Sequence, residues 1–424
     1  MLQRNIPLPV IVMPPADCTT CSDADVVSDT PVRSPAAVAL ILTALAMGGF
    51  AIGVTEFAAM SVLPDFARGL GVDEPTAGHA ISAYAAGVVV GAPILAAFGA
   101  RLPRWILLIG LMGLFAIANT LSALSPNFET MLVFRFLSGL PHGAYFGVAA
   151  LVAASAVPLK FRTRAVSTIL MGLTVATVLG VPVVNLVSQA HGWRWTFGIV
   201  GGLAVLTMTL VALFAPRDPA HPGASPLREL KALKNRQVWL TLGISAVGFG
   251  GMFAVYAYLA SVLREVTGVG PDVLPWVFAV FGVGMFSGNL LCAWAGDRFG
   301  FKAAAGVLIW SALSLALYPL ASQHLWSMLV IVLCIGVGGG LGSILQTRLM
   351  DVAGEAQTLA AALNHSAFNT ANALGPLLAG TAVAAGFGWA STGWVAVSLT
   401  LGGLAIWVWA WLDGRFAQRT AAAH

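Results

Sequence analysis

Twelve runs of about twenty mostly apolar residues divide this 424-residue chain, and that rhythm limits what it can fold into more than any other feature. The runs fall at approximately 36–63, 77–98, 105–124, 128–153, 165–188, 196–215, 238–262, 273–295, 303–321, 325–347, 358–384 and 390–412. Each is long enough to cross a bilayer as one helix. Hydrophobic residues supply 58% of the chain, charged residues 9%, and the mean hydropathy is +0.87. A soluble domain carries about 25% charged residues, so this chain lacks the polar surface to cover itself in water. The net charge of +4 is spread over short loops. No basic face of the kind that binds nucleic acid is present.

The longest polar interruption, 216–237, holds Pro216, Pro219, Pro222 and Pro226 and five Lys or Arg. It divides the chain into a bundle over 36–215 and a second over 238–412. The two resemble each other. A shift of 197 residues pairs Gly87 with Gly284, Gly91 with Gly288, Gly99 with Gly296 and Arg101 with Arg298. The same shift pairs Gly139 with Gly336 and Gly143 with Gly340; a shift of 196 then matches Gly192-Trp193 with Gly388-Trp389, and one of 195 matches Leu179-Gly180 with Leu374-Gly375. The expected fold is therefore an all-α membrane protein of twelve transmembrane helices in two pseudo-symmetric six-helix bundles. In parallel repeats of this kind the substrate site lies at their interface, near the midplane.

Lys and Arg are distributed asymmetrically. Placing the N-terminus in the cytoplasm puts 17 of them inside and three outside (Arg68, Arg194 and Arg264), with Arg135 within a helix. The positive-inside rule then predicts two cytoplasmic termini. Residues 1–35 read as a disordered cytoplasmic tail, rich in Pro and Asp and without a periodic apolar face, and 413–424 as a second cytoplasmic tail. Cys18 and Cys21 form one CxxC without a second pair, and Cys292 and Cys334 fall in apolar runs, so no metal site is expected.

Gly296-Asp297-Arg298-Phe299-Gly300-Phe301-Lys302 resembles the cytoplasmic loop signature of the major facilitator superfamily. Its counterpart Gly99-Ala100-Arg101-Leu102-Pro103-Arg104 is degenerate, with Ala100 in place of the acid. Arg135-Phe136-Leu137-Ser138-Gly139-Leu140-Pro141-His142-Gly143 is similar to the membrane-embedded arginine motif in its arabinose-efflux-permease form, as is Thr55-Glu56-Phe57 in the first helix. Gly172 through Gly180-Val181-Pro182 resembles the helix-five motif of drug and sugar antiporters, departing from it at Val183 and Val184. The resemblance covers about 36–412. It implies proton-driven transport by alternating access, a multi-pass protein of the cytoplasmic (inner) membrane, and a cytoplasmic gate at Arg101, Asp297 and Arg298, weaker where Ala100 replaces the acid.

Glu56 and Arg135 are the two full charges deep within predicted spans. Each costs about 2.5–3.5 kcal/mol at a helix centre, which marks it as a functional candidate. Counting from Pro64 and Asn127, both lie roughly 12 Å inside the same boundary. Facing one cavity, they would form a switch: approach of Arg135 expels a proton from Glu56, and separation lets one bind. The alternative is a fixed ion pair joining helices one and four. His142, two turns after Arg135 on the same face, either relays protons or hydrogen-bonds a backbone carbonyl, with that of Leu137 freed by Pro141.

Helix eleven carries Asn364, His365, Ser366, Asn369, Thr370 and Asn372, and the spacing puts His365, Asn369 and Asn372 on one face. Substrate contact and interhelical hydrogen bonding are both open. Tyr84, Tyr145, Tyr256 and Tyr258 are candidate cavity walls. Gly87, Gly91, Gly139, Gly143, Gly284 and Gly288 form small-residue stripes for close helix approach. Gly180-Val181-Pro182 is expected to perturb helix five, and Gly375-Pro376 helix eleven.

No GxSxG, HExxH or P-loop occurs, so neither an enzyme nor an ATP-hydrolysing pump is expected, and no cofactor is implied. The chain reads as a monomeric secondary transporter exporting a drug-like compound or sugar in exchange for protons. A proton-coupled importer is the alternative, and a non-catalytic permease subunit a more distant one.

Overall fold

The computed structural model describes residues 34–99, 102–158, 161–217, 234–353 and 357–422. Most of the predicted N-terminal tail, most of the 216–237 linker and Arg101 lie outside the described residues. Among the described residues twelve long helices follow one another: α1 (Pro35–Ser61), α2 (His79–Gly99), α3 (Arg104–Ala123), α4 (Phe128–Ser155), α5 (from Arg162–Val175 through Val181–His191) and α6 (Arg194–Phe214). After the linker come α7 (Arg236–Gly248 continued by Gly250–Glu265), α8 (Leu274–Phe299) and α9 (Lys302–Ala321). The last three are α10 (Leu325–Val337 continued by Leu341–Ala353), α11 (Gln357–Ala382) and α12 (Ser391–Ala422). The final helix runs on past 412, where the apolar run ends.

Eleven helical segments among the described residues are long and apolar enough to cross a membrane. The remaining long helix, α11, has 26 residues. It holds the six polar side chains from Asn364 to Asn372, which lower its hydropathy without interrupting its backbone. Caps fix the helix starts. Ser34 accepts from the Ala37 amide with Pro35 in the first turn, and Asn127 accepts from the Thr130 amide at 3.0 Å.

The repeat seen in the residue pattern recurs in the packing. A Cβ on Gly87 would meet the Phe136 carbonyl, and one on Gly91 the Leu140 carbonyl, so α2 and α4 touch backbone to backbone. The residues 197 positions on do the same: Gly284 faces the Leu333 carbonyl and Gly288 that of Val337, joining α8 to α10. Gly139 and Gly336 press in turn on the Tyr84 and Phe281 carbonyls, which are related by the same shift. Only glycine permits such approach.

The two six-helix halves meet along α2 with α11, α5 with α8, and α1 with α7. At Ala176–Gly180, α5 widens into a π turn. Pro182 has no amide proton for the Val178 carbonyl, which accounts for the local loss of α pattern. Gly282 of α8 lies against the backbone of Thr177 and Val178, so the widened turn sits in the seam. The expected perturbation at Gly375-Pro376 is not present: α11 stays α-helical through Pro376. Its π turn comes later, at Val383–Phe387. Gly375 instead serves contact, resting on the Gly250 carbonyl of α7.

Candidate functional site

Glu56 is 1% exposed on α1, and its Oε1 accepts a hydrogen bond of 2.9 Å from Nδ2 of Asn372 on α11. That buried bond joins the two halves. Glu56 Oε2 and Asn372 Oδ1 are both buried without a hydrogen-bond partner. Phe57, the next residue, packs against Phe253 and meets Tyr256 edge-on at 5.3 Å, both on α7. The Tyr256 hydroxyl is buried and unpartnered beside Phe278 and Phe281 of α8.

Arg135 is equally buried on α4, but it does not pair with Glu56. Its Nη1 donates to Thr55 Oγ1 at 3.1 Å, and its guanidinium lies over the rings of Tyr84 at 4.4 Å and Phe197 at 5.2 Å. Ring faces attract a cation while leaving it desolvated. The Thr55 hydroxyl donates onward to Asn119 Oδ1 at 2.7 Å, and Asn119 Nδ2 donates to the Phe115 carbonyl at 2.9 Å. Thr55 and Asn119 were missed as site residues in the sequence. Asn119 is the single amide side chain of α3, an available signal.

His142 has a partner other than the Leu137 carbonyl: its Nδ1 lies 2.9 Å from the Tyr84 hydroxyl. Tyr84 of α2 thus touches both basic residues of α4. His365 of α11 stacks on Phe146 of α4 with centroids 5.0 Å apart and planes 5° from parallel, and its ring centroid is 6.2 Å from that of His142. Asn369 donates to the His365 carbonyl within its own helix and leaves Oδ1 buried and unpartnered. Asn364 turns the other way, donating to Gln346 at 2.6 Å and accepting from Ser245 at 3.2 Å, all inside the second half. Tyr145 donates to the Leu45 carbonyl at 2.8 Å and braces α4 on α1. Gly172 and Gly180 also pack on α1, against Ala46 and against Val54 and Phe50.

Polar bonds between the halves gather toward one face, the one that bears the 62–78 connection. Arg264 at the end of α7 grips Asp65 with two bonds of 3.1 Å. Ser261 donates to Glu74, Gln189 to the Pro271 carbonyl, and Ser82 to the Ala373 carbonyl. A 370 Å³ pocket opens among Asp65, Arg68, Gln189, Arg264 and Pro271. At the opposite face Asp297 and Arg298 are exposed, and neither makes an ion pair among the described residues.

The Major Facilitator Superfamily profile matches residues 45–270 and 242–423. The inner membrane transport protein YdhP of Escherichia coli (strain K12) is 38% identical over 82% of this chain and 90% of its own length. A chloramphenicol resistance protein of Streptomyces lividans is 34% identical over 85% of this chain and 94% of its own. In fold, the chain is similar to the nucleoside transporter NupG, with a TM-score of 0.70 at 12% identity over 88% of this chain and 99% of that one. The chain belongs to the major facilitator superfamily, and it is a multi-pass membrane transporter.

Proposed function

We propose that this protein exports a small molecule across the inner membrane in exchange for protons, with both termini in the cytoplasm. The observation that carries this reading is the bond between Glu56 and Asn372. A buried carboxyl of the first half is held by the second half through one oxygen, while the other oxygen stays unpartnered. A proton arriving on Oε2 would remove the charge and leave the Oε1 bond in place. Proton loss would leave a bare carboxylate that needs Arg135, from its own half, or a cargo group bound between the halves. Proton and cargo then exclude one another, which is exchange.

Support for export comes from the helix-five motif around Gly172, Gly180 and Pro182, and from the Streptomyces lividans relative, a chloramphenicol resistance protein. Lys and Arg placement supports cytoplasmic termini. On that orientation the Asp65–Arg264 face is outside and closed, and the Asp297–Arg298 face is inside. Asn369, His365 and Tyr256 are proposed as cargo contacts, with His142 near the proton path.

The test is transport by purified protein in vesicles carrying an internal pH dye, with an imposed pH gradient and chloramphenicol, arabinose or a cationic dye as probes. The wild type should show probe-dependent proton flux, and Glu56→Gln should lose it while inserting normally. Equal flux in the two proteins would refute the role given to Glu56.

A further inference from the structure

Arg135 is held on a neutral oxygen one residue short of the carboxyl that could neutralise it, and its holder is itself held. The Thr55 hydroxyl has one proton, and that proton is committed to Asn119 Oδ1 at 2.7 Å. Its lone pairs are therefore free to accept from Arg135 Nη1. Asn119 cannot reverse its amide, because Nδ2 is spent on the Phe115 carbonyl of its own helix. The hydrogen bonds run one way, from the Arg135 guanidinium through Thr55 and Asn119 to the α3 backbone. All four residues are buried or nearly so, and no competing acceptor for Nη1 lies in the relay.

We propose that Thr55 and Asn119 are positioning residues for the proton site: their hydroxyl–amide relay holds Arg135 away from Glu56 in this conformation, so that Glu56 can keep its proton. This rests on the proton-exchange reading given above. Arg135 also lies over the ring faces of Tyr84 and Phe197, and neither face offers a lone pair comparable to an oxygen. Without the Thr55 hydroxyl, the guanidinium must find another acceptor. Glu56 Oε2, on the adjoining residue of α1, is buried and unpartnered. The titratable groups around the pair are Arg135 and His142 from α4, Tyr84 from α2, His365 from α11 and Tyr256 from α7. Of these, Arg135 is the permanent cation.

The test is an infrared pH titration of the full chain in lipid, following the protonated-carboxyl band that Glu56→Gln removes. Thr55→Val, Thr55→Ser and Asn119→Ala are compared with the wild type. Thr55→Val and Asn119→Ala should require about tenfold more protons or above for half-titration, as expected when an opposite charge closes on a carboxylate. Thr55→Ser, which keeps the hydroxyl, should titrate as the wild type does. Should Thr55→Val fail to fold, Asn119→Ala carries the same expectation. An unchanged midpoint in the folded variants overturns the proposal and leaves proton exchange at Glu56 standing. So does a serine variant that shifts as far as valine. Absence of any band that Glu56→Gln removes overturns both, since no titration is then there to be set.

Discussion

Asn372 reaches across the seam to hold Glu56 Oε1 at 2.9 Å, a buried hydrogen bond between the two halves. A bond to a group that cycles between charged and neutral changes strength with each cycle, by about 1 kcal/mol between the neutral and charged ranges. Asn372→Ala should therefore cost roughly fivefold in coupled transport, with Asn372→Asp worse because two carboxyls would then face each other. Uptake assays in vesicles at matched protein density check this. Retention of full coupling in Asn372→Ala would show that the bond is incidental.

The paired bonds of Arg264 on Asp65 span the halves at one face, with both side chains about one-fifth exposed. Partial exposure limits such a pair to about 1 kcal/mol. Asp65→Asn should open this face roughly fivefold more often, read as the rate at which a cysteine introduced at Ser61 reacts with a membrane-impermeant thiol reagent. Exchanging the charges, with Asp65→Arg and Arg264→Asp together, should return the rate toward its starting value.

Gly139→Ala would set a methyl 2.0 Å from the Tyr84 carbonyl, and Gly336→Ala one 2.5 Å from that of Phe281. Neither backbone can retreat without parting its helix pair. Each substitution should cost about 1–3 kcal/mol and lower the melting temperature in detergent. Gly110→Ala is the control, since nothing lies within 4 Å of the added carbon.

Asp73 caps the short helix Glu74–Ala77 by accepting from the Thr76 amide at 2.8 Å. Bonding to Thr76 holds its carboxyl below the usual range. A lowered folded value means its contribution is present above the ordinary Asp range and is lost as pH falls through the folded value. Asp73→Ala should thus melt slightly lower than the wild type at neutral pH. The difference should vanish in strong acid, as a pH series of melting curves would reveal.

Helix number and the repeat were legible because both depend on long-range averages: apolar run length, and glycine spacing that must match in two bundles. Glu56 and Arg135 stood out because a full charge in an apolar run has few explanations. Their partners were hidden. Arg135 meets Thr55 and Asn119, and nothing in a one-dimensional pattern shows that α3 turns its amide toward α1. The same holds for His142, whose neighbour in space is Tyr84, 58 residues away in sequence. Pro376 misled for another reason. A missing amide proton interrupts a helix only if its neighbours fail to absorb the loss, and α11 keeps its α pattern through Pro376 while Gly375 rests on the Gly250 carbonyl.

The glycine joints between α2 and α4 and between α8 and α10 have a mechanical meaning. Where carbonyl meets Cα directly, no rotamers stand between the two rods, so no soft torsion is available to yield under load. Each couple behaves as a beam of high stiffness, built twice from one pattern. The same clamp recurs at Gly172 of α5 on the Ala46 carbonyl of α1 and at Gly375 of α11 on the Gly250 carbonyl of α7, so paired helices within each half would turn together sooner than bend.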